Sequence, residues 1–194
     1  MKVWIVYNAW EWNGSSDDFR NCYLESVEKI VDSEEKAIKY NAAINSAAAL
    51  IVSATTPEEM VIEARYISAK SLIATERREE AAPYLKAISE FKLNPYGAEA
   101  YYMLIQETFD KGNFDEVENM VYDFSDSNTD QLYWLARSFI VLGDSFAERD
   151  EMEQAEATFR SIRSDYTPAS DTDDIYEQVD MRLGKLDKMK SSNE

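Results

Sequence analysis

The sequence predicts a mainly α protein: an antiparallel helix–turn–helix solenoid of about three repeats, closed by a C-terminal capping helix and preceded by a small N-terminal β-hairpin. Three observations carry that expectation. Glycine and proline number only five and four in 194 residues, a scarcity that suits long helices and fits an all-β chain poorly. Small, aliphatic and aromatic residues recur at matching offsets in three successive stretches. Apolar residues make up 45% of the chain and aromatics 12%, enough for a core that needs neither disulfide nor metal.

The first 33 residues read as the hairpin. Residues 2–12 (KVWIVYNAWEW) are rich in β-branched and aromatic side chains, which suit a half-buried pleated surface. Asn13, Gly14, Ser15, Ser16, Asp17 and Asp18 form a turn cluster. The run from Cys22 to Asp32 fits either a returning strand or a helical face through Val27, Ile30 and Val31. The strand reading is preferred, because Asp32 with Glu35 places a capping-box spacing immediately after it. A hairpin alone is marginal, so it must lean on the helix that follows.

Residues 34–190 read as the helical domain and 191–194 as a disordered tail. Between Glu34 and Ser53, Ala43, Ala47, Leu50 and Ile51 fall on one helical stripe. Pro57 then suits a first helical turn, with Thr56 able to cap it. The fullest repeat follows Gln131. There Phe139, Leu142, Gly143 and Phe146 occupy one helix, Ala155 and Phe159 the next, and Pro168 closes the unit. Small residues stand where two helices approach closely, and aromatics fill the gap between repeats. Upstream, Tyr101, Leu104, Ile105, Val117 and Val121 hold matching positions around a Gly112–Asp115 turn; before them come Ala69, Leu72, Ala81 and Leu85, with Pro95 after. The small positions Ala81, Val117 and Ala155 are 36 and 38 residues apart, which implies slightly lengthened helices or connectors. A terminal helix begins after Asp171–Asp174. Asp173 or Thr172 caps it, and Ile175, Val179, Met181 or Arg182, and Leu183 lie near its packing face.

The stretches ARYISAKSLIAT, YGAEAYYMLIQETFDKGNFDEVE, YWLARSFIVLGDSF and DDI…RLGKL resemble the C-terminal repeats of tetratricopeptide repeat (TPR) proteins of the kind common in gut Bacteroidetes. The likeness covers about residues 43–189, while residues 1–40 are foreign to the pattern, so a fusion near residues 33–43 is one account of the chain. The resemblance implies a non-enzymatic scaffold that binds a protein or peptide in the groove lined by the first helix of each repeat. Projected onto this chain, that face takes Glu63, Tyr66 and Lys70, then Glu99, Tyr102, Gln106 and Phe109, then Arg137, Ile140, Asp144 and Ala147. The two-lysine, asparagine-rich carboxylate clamp of chaperone-binding relatives is not reproduced. The alternative is a self-assembling homo-oligomer with no free groove.

Charge and composition narrow the chemistry. A formal net charge of −18 repels nucleic acid and anionic membranes, favours encounter with a basic partner, and also serves solubility. With no histidine, imidazole metal sites and histidine triads are excluded, and Cys22 as the sole cysteine permits no internal disulfide. Phosphate-cradling glycine loops and the G-x-S-x-G elbow are missing, so neither cofactor nor catalytic set is implied. Asp126–Asp130 begins like a calcium loop, but Gln131 stands at the glycine position and Arg137 at the bidentate glutamate. Asp171, Asp173 and Asp174 read as helix N-terminal charges before a cation site. Trp4, Trp10, Trp12 and Trp134 read as packing residues. The opening MKVWIVYNAW is too short for a signal-peptide core, and no apolar run reaches the roughly 18 residues of a membrane span. The expected location is cytoplasmic, with cell-envelope association the alternative where an export segment precedes this sequence.

Overall fold

The computed structural model describes residues 34–192, with side chains described for 38–189. The expected hairpin, with Cys22 and the first three tryptophans, lies outside the described residues. Those described form eight helices and no strand: α1 Glu34–Val52, α2 Glu58–Ala74, α3 Arg78–Ser89, α4 Pro95–Asp110, α5 Phe114–Asp126, α6 Leu132–Glu148, α7 Met152–Asp165 and α8 Ile175–Ser192. They divide into two compact units after Ile88. Helix α8 runs into the stretch expected as a tail. None of the described helices is long and apolar enough to cross a membrane.

In the first unit α1 packs along α2, and Ala43, Ala47, Ala64 and Ile67 form their shared core with Leu50 and Ile51 at its edge. The expected alanine stripe is therefore the buried face of α1. The cap of α2 differs from expectation. Its cap position falls on Pro57, not Thr56. A proline carries no side-chain acceptor, and its carbonyl instead takes the first helical bond, from Val61 N at 3.1 Å.

One turn is built three times, after α2, α4 and α6. Glu76, Gly112 and Asp150 adopt positive φ of 61°, 74° and 58°. In each case the amide of the following residue reaches back five positions: Arg77 to Leu72 O, Asn113 to Thr108 O and Glu151 to Phe146 O. This is the Schellman pattern that satisfies the carbonyls at a helix end. The same residues then start the next helix, accepting from Ala81 N, Val117 N and Ala155 N. Those three are the small positions spaced 36 and 38 residues apart, and all are fully buried. Connectors after α2, α4 and α6 have three residues and those after α3 and α5 have five. The longer period therefore resides in the helices: α5 has 13 residues to 12 in α3, and α6 has 17 to 16 in α4.

In the second unit α4, α5, α6, α7 and α8 pack each against its chain neighbour, and α6 also touches both α4 and α8. Its core joins Ile105, Val117, Val121 and Phe124 to Leu142, Phe146, Phe159 and Ile162, then to Ile175 and Val179 of α8. Asn94 Oδ1 caps α4 by accepting from Tyr96 N at 2.9 Å, with Pro95 at the first helical position. Thr129 Oγ1, in the connector that resembles a calcium loop, donates to Lys92 O at 2.9 Å and accepts from Gln131 N at 3.1 Å. At the head of α8 the cap position is Asp174, whose carbonyl takes Gln178 N at 2.9 Å, and Asp173 rather than Thr172 supplies the side-chain acceptor: its carboxylate accepts from Ile175 N at 3.1 Å, from Ala169 N at 3.3 Å and from the Tyr166 hydroxyl. Arg182 turns inward and Met181 outward, which resolves the two options for the packing face.

Helices α6 and α7 approach each other closely at Gly143. A Cβ there would lie 2.4 Å from Phe159 Cε1 and 2.7 Å from Cζ, whereas a Cβ on Gly184 of α8 would meet nothing within 4 Å. Phe159 is itself fully buried and has nowhere to yield. The same substitution should therefore act in opposite directions at the two sites. Gly143→Ala is expected to destabilise by about 1–3 kcal/mol through overpacking. Gly184→Ala is expected to stabilise by up to about 1 kcal/mol through helix propensity. Thermal melts of both variants check the pair.

Candidate functional site

Helix α6 presents Tyr133, Arg137, Ile140 and Asp144 at i, i+4, i+7 and i+11, so all four share one face. Helices α4 and α8 flank that face. Together the three helices enclose a notch of about 110 Å³ lined by Tyr102, Gln106 and Phe109 of α4, Arg137, Ile140, Val141 and Asp144 of α6, and Gln178 and Arg182 of α8. Six residues expected on the groove face thus converge: Tyr102, Gln106, Phe109, Arg137, Ile140 and Asp144. Glu99 and Ala147 are half-buried on α4 and α6 but do not line the notch. Glu63, Tyr66 and Lys70 belong to the first unit, where Lys70 Nζ lies 5.7 Å from the Tyr66 ring centre.

The polar groups are coupled to one another. Arg182 grips Asp144 with a two-pronged contact, Nε to Oδ1 at 2.7 Å and Nη2 to Oδ2 at 2.7 Å, the planar match that makes arginine–carboxylate pairs strong. Its remaining nitrogen donates to Gln178 Oε1 at 2.9 Å and Gln178 O at 3.1 Å. Arg137 donates to the Tyr133 hydroxyl at 2.8 Å and to both oxygens of Asp174 at 3.3 Å, while Tyr133 donates to Asp174 Oδ1 at 3.0 Å. The Arg137 guanidinium also lies over the rings of Tyr102 and Tyr133, at 5.4 and 5.6 Å from their centres. Burial, with Asp174 adding to it and Arg137 opposing, raises the Tyr133 phenol above its ordinary pKa. The Tyr102 hydroxyl donates to Gln106 Oε1 at 2.7 Å, and its ring packs 5.4 Å from Trp134.

Two consequences follow for chemistry. First, Arg137 and Asp144 are expected as open groove charges, yet Asp174 just before α8 and Arg182 on it pair with them, so the face carries two acids against two arginines. Second, the notch offers a rim of amides, a phenol and paired ions around Ile140 and Val141, which suits hydrogen-bonded recognition of one side chain. The sequence does not single out Gln178, and it offers Arg182 only as an option for the packing face and Asp174 only as a helix N-terminal charge, because α8 reads as a capping helix. A signal is present all the same: Asp174, just before α8, and Gln178 and Arg182 on it stand four residues apart, the spacing of one helical face.

Comparison with known protein families, curated proteins and solved structures finds no match.

The two ion pairs should differ in strength. Both are about one-quarter exposed, but Arg182–Asp144 is two-pronged at 2.7 Å and Arg137–Asp174 is long at 3.3 Å. Double-mutant cycles with Arg182→Gln/Asp144→Asn and Arg137→Gln/Asp174→Asn are expected to give coupling near 1–2 kcal/mol for the first pair and under about 0.5 kcal/mol for the second.

Proposed function

We propose that the chain is a non-enzymatic, TPR-like scaffold that binds a protein or peptide across the face formed by α4, α6 and α8. The observation that supports this most is the convergence of Tyr102, Gln106, Arg137 and Asp144 from two different helix–turn–helix units on one notch. Three hairpins with the same turn and the same connector lengths support the repeat reading. The binding mode follows from the pairing of the charges. A partner chain lies over the face and inserts one side chain into the notch, held by the Gln106 and Gln178 amides and the Tyr102 ring. Bare charge plays a small part there, because Arg137 and Arg182 already have carboxylates. The non-enzymatic reading rests on the sequence, which has no histidine and no nucleophile or phosphate motif.

Gln106→Arg fills the notch from its half-exposed edge, and Tyr102→Ala removes one wall. A partner recovered with the full chain and then purified should bind either variant at least about tenfold more weakly, a loss of about 1.4 kcal/mol, while thermal melting confirms a folded protein. Unchanged titration curves for both folded variants would place the binding surface elsewhere.

A further inference from the structure

On the side of α6 opposite the notch lies a second concavity, an apolar cleft of about 570 Å³. Leu132, Leu135, Phe139 and Leu142 of α6 line it, with Tyr122 of α5 on one side and Ile162 of α7 on the other. At 100° per residue these α6 positions point away from Arg137, Ile140 and Asp144. The volume falls within the range of roughly 300–1,000 Å³ typical of ligand sites. Leu132 and Tyr122 remain 56% and 47% exposed, so apolar surface stays in contact with water at this place.

The surroundings of the cleft define what would cover it. Asp165 lines it, and Asp126 stands one turn beyond Tyr122 on the same side of α5. These are the last residues of α7 and α5, so the partial negative charge of two helix ends adds to the two carboxylates. Among the described residues no lysine or arginine pairs with either carboxylate, and Lys92, the cation beside α5, is taken by Asp123. Helix α5 contains no lysine or arginine, Arg160 of α7 pairs with Glu156 at 2.6 Å, and Arg163 pairs with Asp180 at 3.1 Å. Asp165 instead accepts from the hydroxyls of Ser164 and Ser161, which hold its carboxyl below the usual range. An occupant that is apolar alone would leave the acidic end unmatched, and one that is cationic alone would leave the leucines wet.

We propose that this cleft is a docking groove for a short amphipathic helix of a partner protein, with its leucine-like side chains on Leu135 and Phe139 and its lysines or arginines facing Asp126 and Asp165. Leu135 and Leu142 are seven residues apart along α6, about 10 Å, which is the span of an i, i+3/i+4, i+7 set of anchors. The negative field of the whole chain would speed the encounter, and the cleft would supply the register.

The test uses the full chain and a labelled synthetic helix of about 14 leucine and lysine residues with leucines on one face, titrated at about 0.15 M salt by fluorescence anisotropy. Leu132→Glu is the informative variant. It adds negative charge at an exposed site, so attraction to diffuse charge would strengthen, whereas seating in the cleft would weaken. Binding is expected to fall about tenfold with Leu132→Glu and several-fold with Asp126→Asn/Asp165→Asn, with melting curves confirming folded variants. Three results would overturn the proposal. Leu132→Glu could bind as tightly as the parent or tighter, or a peptide with glutamate in place of lysine could bind equally well. Light scattering could also show a parent dimer that Leu132→Glu dissolves, which would make the cleft an interface between copies of this chain.

Discussion

The three-residue turn with a left-handed residue sets the geometry on which the rest depends. It ends one helix and starts the next with a fixed offset, so the residue five positions after the left-handed one is fully buried each time. Because the first helix–helix crossing is set there, the faces of α4 and α6 come into phase, and α8 can take the place that the first helix of a further hairpin would hold. Glycine fills the left-handed position once; glutamate and aspartate fill it in the other two turns. The cost of a non-glycine residue in that region is about 1 kcal/mol, small enough for the hairpin packing to absorb.

Charge is distributed unevenly around α6. On one side, two acids meet two arginines and the surface is near neutral despite a chain charge of −18. On the other, α5 and α7 end in carboxylates that no described lysine or arginine meets. The whole-chain charge therefore says little about what the polar notch would select, and more about the surface around Tyr122 and Leu132. Elsewhere some acidic groups are tied into local clusters. Arg149, for instance, gathers Asp115, Glu118 and Glu151 at the α6–α7 turn, and Asp123 is held below its usual pKa by Lys92 and Tyr101.

Much of the helical order was legible because it depends on residue size at fixed spacing. Ala81, Val117 and Ala155, and the Gly143–Phe159 pair, are small or aromatic for steric reasons that a sequence displays directly. The common turn was legible only at Gly112, since Glu76 carries no residue-type signal for a left-handed backbone. Six of the nine residues that line the polar notch were readable from helix phase; Gln178 and Arg182 required knowing that α8 lies beside α6. The apolar cleft was not readable at all. Phe139 reads as filled packing, and the cleft stays open where α7 sets the small residues Ala157, Thr158 and Ser161 along it beside Ile162 and Asp165.

The contact between Gly143 and Phe159 also bears on how the two sides of α6 relate. With no room for even one added carbon, α6 cannot slide or roll toward α7 to adapt to an occupant. An occupant of either concavity would have to be accommodated by side chains at that concavity's own rim. The helix then behaves as a rigid partition, and the two surfaces can diverge in specificity through substitutions on one that leave the other undisturbed.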